Sequence, residues 1–376
     1  MDRPGAFGSL ISNGLAASLN ILIIRPSALG DVCRTVPVLS SLRRAYPEAR
    51  IDWLVQDSFA DAIWHHPALS AAVLFPRREL GRDLRAGRFR RVGRWLGRLR
   101  GGAEGRYDLV LDCQGLARSG LFAWISGARR RVGYSDAREL GWLGLNQCIK
   151  APASMHTVDR MLALVNGIGV EPVADMRLYT GPQERAWVER QRVLWEGARS
   201  GGGYVVVAPT SRWEGKRWPQ ERFTIAALGA LERCAGAVVV VGGQSERGQV
   251  ADMLRQTAGE PRIVDLVGKT SVGQLMALVQ GASLVLANDS AALHMAVGFD
   301  RPSIGLFGPT RVELVGPYQK HRRGADAVVL QHISPGDRVD HKDAVSGRAL
   351  MERIAVEEVL AAMGRALGTI RLGAPA

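Results

Sequence analysis

Apolar residues in this 376-residue chain fall into short β-branched runs, separated by stretches in which they recur every three or four positions. Ile21 to Ile24 is such a run. It leads into Arg25-Pro26-Ser27-Ala28-Leu29-Gly30-Asp31, after which Val36, Leu39, Leu42 and Tyr46 keep roughly helical spacing until Pro47. Ile51 to Val55 and Leu109 to Asp112 read as further strands, with enough helical sequence between them for parallel crossovers. The second half repeats the pattern. Tyr204 to Ala208, Ala237 to Val241, Ser283 to Ala287 and Ser303 to Phe307 are strands, and Pro219 to Arg233 is a helix with proline at its start. From Gly347 onward, Leu350, Ile354, Val356, Val359, Leu360 and Met363 form the apolar stripe of a terminal helix.

Alternating strands and helices of this kind predict an α/β protein with doubly wound parallel sheets, and the length suits two such domains with a cleft between them. A polar, helix-like stretch ends in Ser200-Gly201-Gly202-Gly203, the clearest flexible break. The expected organisation is therefore a frayed extension over 1–18, a Rossmann-like domain over 19–185, a linker over 186–203, a second Rossmann-like domain over 204–346, and a helix over 347–376 that packs back on the body. Sheets of this type bind ligands at the carboxyl ends of their strands, so the chemistry is sought in the loops that follow them.

Composition narrows the classes. Hydrophobic residues are 47% and charged residues 23%, an ordinary globular balance, and no run approaches the roughly 20 apolar residues that a spanning helix needs. Residues 1–18 lack the basic start, apolar core and cleavage site of a signal peptide. Cys33, Cys113, Cys148 and Cys234 are far apart with no CxxC pair, which suggests neither zinc nor a disulfide framework and fits a reducing cytoplasm. The net charge of +13 implies anionic partners. Eleven arginines lie between Arg77 and Arg106, against Glu79, Asp83 and Glu104. That density suits acceptor phosphates or an anionic membrane surface, or else it is a solvated basic helix. Phe89 and Trp95 alone are too few aromatics for stacking single-stranded nucleic acid, so nucleic acid is not expected as a partner.

Several loops then stand out. Ala28-Leu29-Gly30-Asp31 follows the first strand, where Asp31 can either project as a general base or cap the next helix. Pro209-Thr210-Ser211 with Lys216-Arg217-Trp218-Pro219 places hydroxyls, cations and a helix start after one strand, a set suited to a diphosphate. Asn288-Asp289-Ser290-Ala291-Ala292-Leu293-His294 again opens a helix after a strand, so Ser290 and backbone N–H groups can meet phosphate oxygens. His294 is either a ligand contact or a buried core histidine. Glu246, after Gly242-Gly243, is either an acceptor for ribose hydroxyls or an exposed helix-start residue. Gly268-Lys269-Thr270 is not a P-loop, since Ile263 occupies the first glycine position. Without GxGxxG after the first strand, without HExxH and with no spaced partners for His65-His66, neither a dinucleotide oxidoreductase nor a zinc hydrolase is supported.

Leu29-Gly30-Asp31-Val32, Leu111-Asp112-Cys113-Gln114-Gly115-Leu116, Lys216-Arg217-Trp218-Pro219, Asn288-Asp289-Ser290 through His294, and Phe307-Gly308-Pro309-Thr310 together resemble the family 9 glycosyltransferases, the ADP-heptose:lipopolysaccharide heptosyltransferases. The likeness runs from about Asn20 to Met363. Asp136-Ala137-Arg138-Glu139 and His156-Thr157-Val158-Asp159-Arg160 are similar to segments of the subgroup that adds the first heptose to Kdo. The resemblance implies a GT-B fold with an acceptor-binding first domain, a nucleotide-sugar-binding second domain and a central cleft. It implies an inverting, metal-independent transfer without a cofactor. Asp31 would be the general base and Lys216 a second catalytic residue. Thr210, Ser211, Lys216, Glu246, Thr270, Asp289, Ser290, Ala291 and His294 would contact the donor, and Ser27, Gly30, Gln114 and Arg138 the acceptor. The implied donor is ADP-heptose and the acceptor a phosphorylated glycolipid, met in the cytoplasm or at the inner face of the inner membrane. Ala28, Ala291 and Thr270 depart from frequent family residues, as does Trp213-Glu214-Gly215. The alternatives are a family member with another nucleotide sugar and another glycan, or a nucleotide-sugar-binding protein without catalysis.

Overall fold

The strands that the apolar runs predict are the central ones. Ile21, Leu22, Ile23 and Ile24 are fully buried in β1 (Asn20–Ile24), as expected for a strand covered on both faces by helices. The computed structural model describes residues 19–101, 106–195, 203–233, 236–320, 326–340 and 342–372. The extension over 1–18, the Ser200-Gly201-Gly202 break, Glu104 and Cys234 lie outside those residues. The chain divides into two units, one ending at Met176 and the other beginning at Arg177.

In the first unit β1 is joined by β2 (Arg50–Gln56), β3 (Ala71–Phe75), β4 (Leu109–Asp112), β5 (Arg130–Tyr134) and β6 (Gln147–Ile149), all parallel, in the order β3-β2-β1-β4-β5-β6. In the second unit β7 (Val205–Ala208), β8 (Val238–Val240), β9 (Ile263–Asp265), β10 (Leu284–Asn288), β11 (Ser303–Leu306) and β12 (Ala327–Leu330) repeat the arrangement as β12-β11-β10-β7-β8-β9. Each is a doubly wound sheet whose winding reverses between its first and fourth strands, and the crevice at that reversal is where such sheets take ligands.

One face of the first sheet is covered by the helices Arg77–Arg85, Phe89–Gly101 and Ala117–Ile125. There Phe75, Trp95 and Phe122 meet ring to ring at centroid distances of 5.2 to 5.4 Å. Helix Leu29–Ala45 packs on helix Thr157–Gly167, with the Thr35 hydroxyl 3.1 Å from the Met161 sulfur. In the second unit the core joins helix Gln220–Arg233 to the terminal segment through Phe223, Met351, Ile354, Val359 and Met363.

Two expectations differ from what is observed. The polar stretch read as reaching into a linker contains the helix Pro182–Val193, which packs on helix Val272–Gly281 and so belongs to the second unit. The stretch is helical, as its helix-like reading expected; what differs is its placement, since Val188, its one buried residue, is too narrow an apolar edge to show in the sequence which body it packs on. The single terminal helix is two, Ala344–Glu352 and Val356–Leu372. The Ile354 carbonyl at the break accepts from Trp218 Nε1 at 3.0 Å and Arg222 Nη1 at 2.6 Å, which satisfies backbone that the helix would otherwise use.

Candidate active site

In the first sheet, the reversal between β1 and β4 brings Ser27, Gly30, Asp31 and Gln114 together. The Ser27 N–H lies 3.4 Å from Gln114 Oε1, and the Ser27-Ala28 peptide is cis. Asp31 is the third residue of helix Leu29–Ala45, and its carboxylate accepts from the Ala28 N–H at 3.2 Å, the half of a capping box that an alanine N-cap permits. It also pairs with Arg25 at 3.0 Å and with Arg34, and its side chain keeps 24% of its accessible surface. Burial alone would raise its pKa, yet Arg25 and Arg34 hold it well below the usual carboxylate range. The helix-capping alternative for Asp31 is therefore realised, with two guanidinium partners on the same carboxylate.

Sequence reasoning missed the groups that build this loop. Arg25, buried, bridges Asp31 and the Cys113 carbonyl. Fully buried Asp112 accepts from the Gln114 and Gly115 N–H groups at 2.9 and 3.1 Å and from the Ser119 hydroxyl at 2.8 Å, and desolvation pushes its pKa up. Gly115 sits at φ 68, where a Cβ would come within 3.0 Å of the Tyr134 ring. The Leu111-Asp112-Cys113-Gln114-Gly115-Leu116 run carried this signal, since an acid at a strand end two residues before a Gln-Gly pair is a turn former. Arg138 is exposed, and its N–H donates to the Gly115 carbonyl at 3.0 Å, tying it to the same loop.

In the second sheet, the reversal between β7 and β10 holds most of the remaining candidates. Lys216 Nζ lies 2.6 Å from Asp289 Oδ2, with 15% and 9% of the two side chains exposed. The Thr210 hydroxyl donates to Glu246 Oε2 at 2.8 Å, and that oxygen also accepts from the Gly243 N–H at 2.9 Å. Glu246 is thus a loop anchor with one carboxylate oxygen committed, rather than a bare helix-start acid. Gly242 sits where a Cβ would come within 3.0 Å of Thr210 side-chain atoms. Buried Ser211 accepts at its carbonyl from Arg217 Nε at 2.9 Å, and its N–H donates to Gln249 at 3.1 Å.

Ser290 is the N-cap residue of helix Ala291–Gly298, yet its hydroxyl makes no cap bond and is a buried oxygen without a partner. The Thr310 hydroxyl, after neighbouring β11, is likewise buried and unpartnered. Ala291 is half-buried at the first turn, where backbone N–H groups point outward. His294, at 3% exposure one turn further in, is a core histidine by burial. Thr270 lies in the loop after β9 just before the Ser271 cap of helix Val272–Gly281, a loop joined to the one carrying Glu246 where the Gly268 N–H donates to the Gly242 carbonyl at 2.9 Å.

Asn288, quoted in the sequence motif but given no role there, organises the site. Fully buried at the end of β10, it donates to the Pro209 carbonyl at 2.7 Å and accepts from the Trp218 N–H at 3.2 Å. One amide thus spaces the loop carrying Thr210 and Ser211 from the turn carrying Lys216. Among the described residues no group of three His, Cys, Asp or Glu side chains is placed to hold a metal, and no helix is long and apolar enough to cross a membrane.

Two doubly wound sheets thus each gather polar groups at the reversal where such folds take ligands, the second with a paired lysine and a helix start whose Ser290 hydroxyl is unpartnered. The chain belongs to glycosyltransferase family 9 (heptosyltransferase), whose model matches residues 97–341, and it is a glycosyltransferase. It is 29% identical over 310 residues to lipopolysaccharide heptosyltransferase 1 of Pseudomonas aeruginosa, covering 80% of this chain and 81% of that one. Its fold is that of the family 9 glycosyl transferase from Veillonella parvula, at a TM-score of 0.77 and 20% identity over 93% of this chain and 98% of the other. It also matches Escherichia coli heptosyltransferase WaaC, solved with ADP-2-deoxy-2-fluoro heptose, at a TM-score of 0.64 and 22% identity over 90% of this chain and all of that one. The α/β, GT-B architecture expected from the sequence is the one observed.

Proposed function

We propose that this chain transfers heptose from ADP-heptose to the Kdo region of the lipopolysaccharide inner core, with inversion. The observation that carries the donor half is the Lys216–Asp289 pair beside a helix start whose Ser290 hydroxyl has no partner. Together they offer a charge, a hydroxyl and backbone N–H groups to a diphosphate. The ADP-2-deoxy-2-fluoro heptose bound to the E. coli heptosyltransferase WaaC supports the same donor.

In this reading the acceptor hydroxyl forms its bond to the anomeric carbon as the bond to the ADP oxygen breaks, and the hydroxyl proton passes to Asp31. Asp31 as held by two arginines is a weak base, so the proton transfers late. The hydroxyl becomes acidic only once its oxygen is bonding to carbon, and little basicity is then needed. Three donors occupy three of the roughly four lone-pair directions of the carboxylate, leaving one for the hydroxyl. Lys216 and the start of helix Ala291–Gly298 neutralise the departing diphosphate, and that supply of positive charge is what supports metal-independent transfer. Thr210, Ser211, Glu246 and Asp289 shape the donor pocket, whereas Gln114 and Arg138 with Ser27 and Gly30 meet the acceptor.

The test is incubation of ADP-heptose with a Kdo-bearing lipid acceptor, read by product mass, beside UDP-sugars and beside donor without acceptor. Acceptor-dependent heptose addition is expected. Turnover only with another donor, isomerisation of the donor alone, or binding without turnover would replace the reading. Asp31→Ala should lower turnover about 10²- to 10⁴-fold while ADP affinity is kept; near-normal turnover removes Asp31 from the role.

A further inference from the structure

The first unit carries a surface that the transfer chemistry leaves unused. Helix Ala117–Ile125 exposes Leu121 and Trp124, and the turn after Arg138 exposes Leu140, Trp142 and Leu143, each at 44% or more. Soluble surfaces do not ordinarily gather large apolar side chains in this way. The two elements meet backbone to backbone. A Cβ on Gly120 would lie 2.0 Å from the Gly141 carbonyl oxygen, and one on Gly144 would lie 1.9 Å from that of Gly120. Leu140 is held at φ 61 directly after Glu139 at φ 55, a left-handed backbone that branched side chains avoid. The fold keeps strained backbone here and presents an apolar residue to solvent with it.

Beside this patch runs helix Phe89–Gly101. Trp95 and Leu99 bury its inner face, while Arg90, Arg94, Arg98 and Arg100 are exposed. A hollow of about 490 Å³ joins helix and patch, with Gly93, Gly97 and Arg100 on one wall and Trp124 and Arg131 on the other. The patch also adjoins the acceptor loop. Helix Ala117–Ile125 starts just after Gln114-Gly115, and Leu140 follows Arg138, whose N–H is bonded to Gly115.

We propose that this face docks on an anionic lipid bilayer, with Trp124, Leu121, Leu140, Trp142 and Leu143 entering the interface and the arginines of helix Phe89–Gly101 on headgroup phosphates. Tryptophan and leucine beside arginine is the composition that interfacial binding selects, apolar insertion and headgroup attraction acting together. Among the described residues, Glu139, Asp136, Glu79 and Asp83 are carboxylates on or next to these elements; Asp83 is already paired with Arg88 and Arg91, and Asp136 with Arg160. The assignment deepens the proposed transfer to a lipid-linked acceptor and rests on it: docking here sets the acceptor loop at the membrane surface, where the sugar of such an acceptor lies.

The full chain is to be sedimented with vesicles of phosphatidylethanolamine and phosphatidylglycerol, and with vesicles of phosphatidylcholine alone. Salt-sensitive binding to the anionic vesicles is expected. Trp124→Ser with Leu143→Ser should weaken it about tenfold or more. Arg94→Glu with Arg98→Glu, reversing two charges worth about fivefold each when merely removed, should weaken it further. Both doubles should melt like the parent, turn over a detergent-dispersed acceptor normally and lose turnover on vesicle-borne acceptor. No binding to anionic vesicles, equal binding by the Trp124/Leu143 double, or a dimer that the same double dissociates would each overturn the proposal, the last in favour of a second copy. Vesicle binding without heptose transfer would defeat the functional reading alone, and transfer without vesicle binding would defeat the docking alone.

Discussion

At the scale of single residues, Asp31 is defined by its two arginines. Removing one lets its pKa climb back toward the ordinary carboxylate value of about 3.9. In the proposed transfer the ionised form accepts the proton, so in the parent the acid limb of kcat/KM should lie below that value, and Arg34→Ala should move it to higher pH. A pH–rate profile showing no movement would mean that the pair does not set the acidity. The same depressed value makes a statement about stability. The contribution of the ionised Asp31 is complete above its unfolded pKa and is lost as pH falls toward the folded one. The Asp31→Asn variant should therefore melt below the parent at neutral pH, with the gap narrowing below about pH 4. Lys216→Ala should weaken ADP binding by about 1.5 to 3 kcal/mol, the range for a charge-assisted contact, and slow turnover as well. Calorimetric titration with ADP checks the first effect.

Elements are where the sequence was most and least legible. The seven runs read as strands are present because central strands of a parallel sheet are apolar on both faces, and a solid run of valine and isoleucine survives any uncertainty of boundary. The five that escaped notice, β3, β5, β6, β9 and β12, lie towards the edges. β5 begins Arg130-Arg131, and β6 and β9 are three residues each, so neither length nor alternation announces them. The loops were legible as motifs but not as mechanics. Lys216 and Asp289 are 73 positions apart and become a pair only through the β7–β10 pairing, and nothing local marks Asn288 as the brace between two loops. Asn288→Ala leaves a buried carbonyl and a buried N–H without partners, which should cost about 2 to 4 kcal/mol and weaken ADP binding, as thermal melts and titration would report. Gly120→Ala forces a methyl into the Gly141 carbonyl and should lower stability by about 1 to 3 kcal/mol, measured by denaturant melts.

At the scale of the whole molecule, two sheets with one strand order set different side chains at equivalent reversals, a carboxylate between guanidiniums in one and a lysine against a carboxylate in the other. The chain as a whole carries a net charge of +13. An anionic acceptor should accordingly bind less well as ionic strength rises, and KM measured across a salt series should climb while kcat changes little. Because every strand in each sheet runs the same way, every candidate group gathers at one rim, and the opposite rim is free for use as a handle. Glu48, exposed just ahead of β2, and Gly259, exposed ahead of β9 with nothing within 4 Å of an added Cβ, sit on those far rims. With Cys148, whose thiol is exposed, and Cys234 first replaced, a fluorophore pair attached at positions 48 and 259 would report any change in their separation when ADP is added, with the dyes set away from the candidate groups.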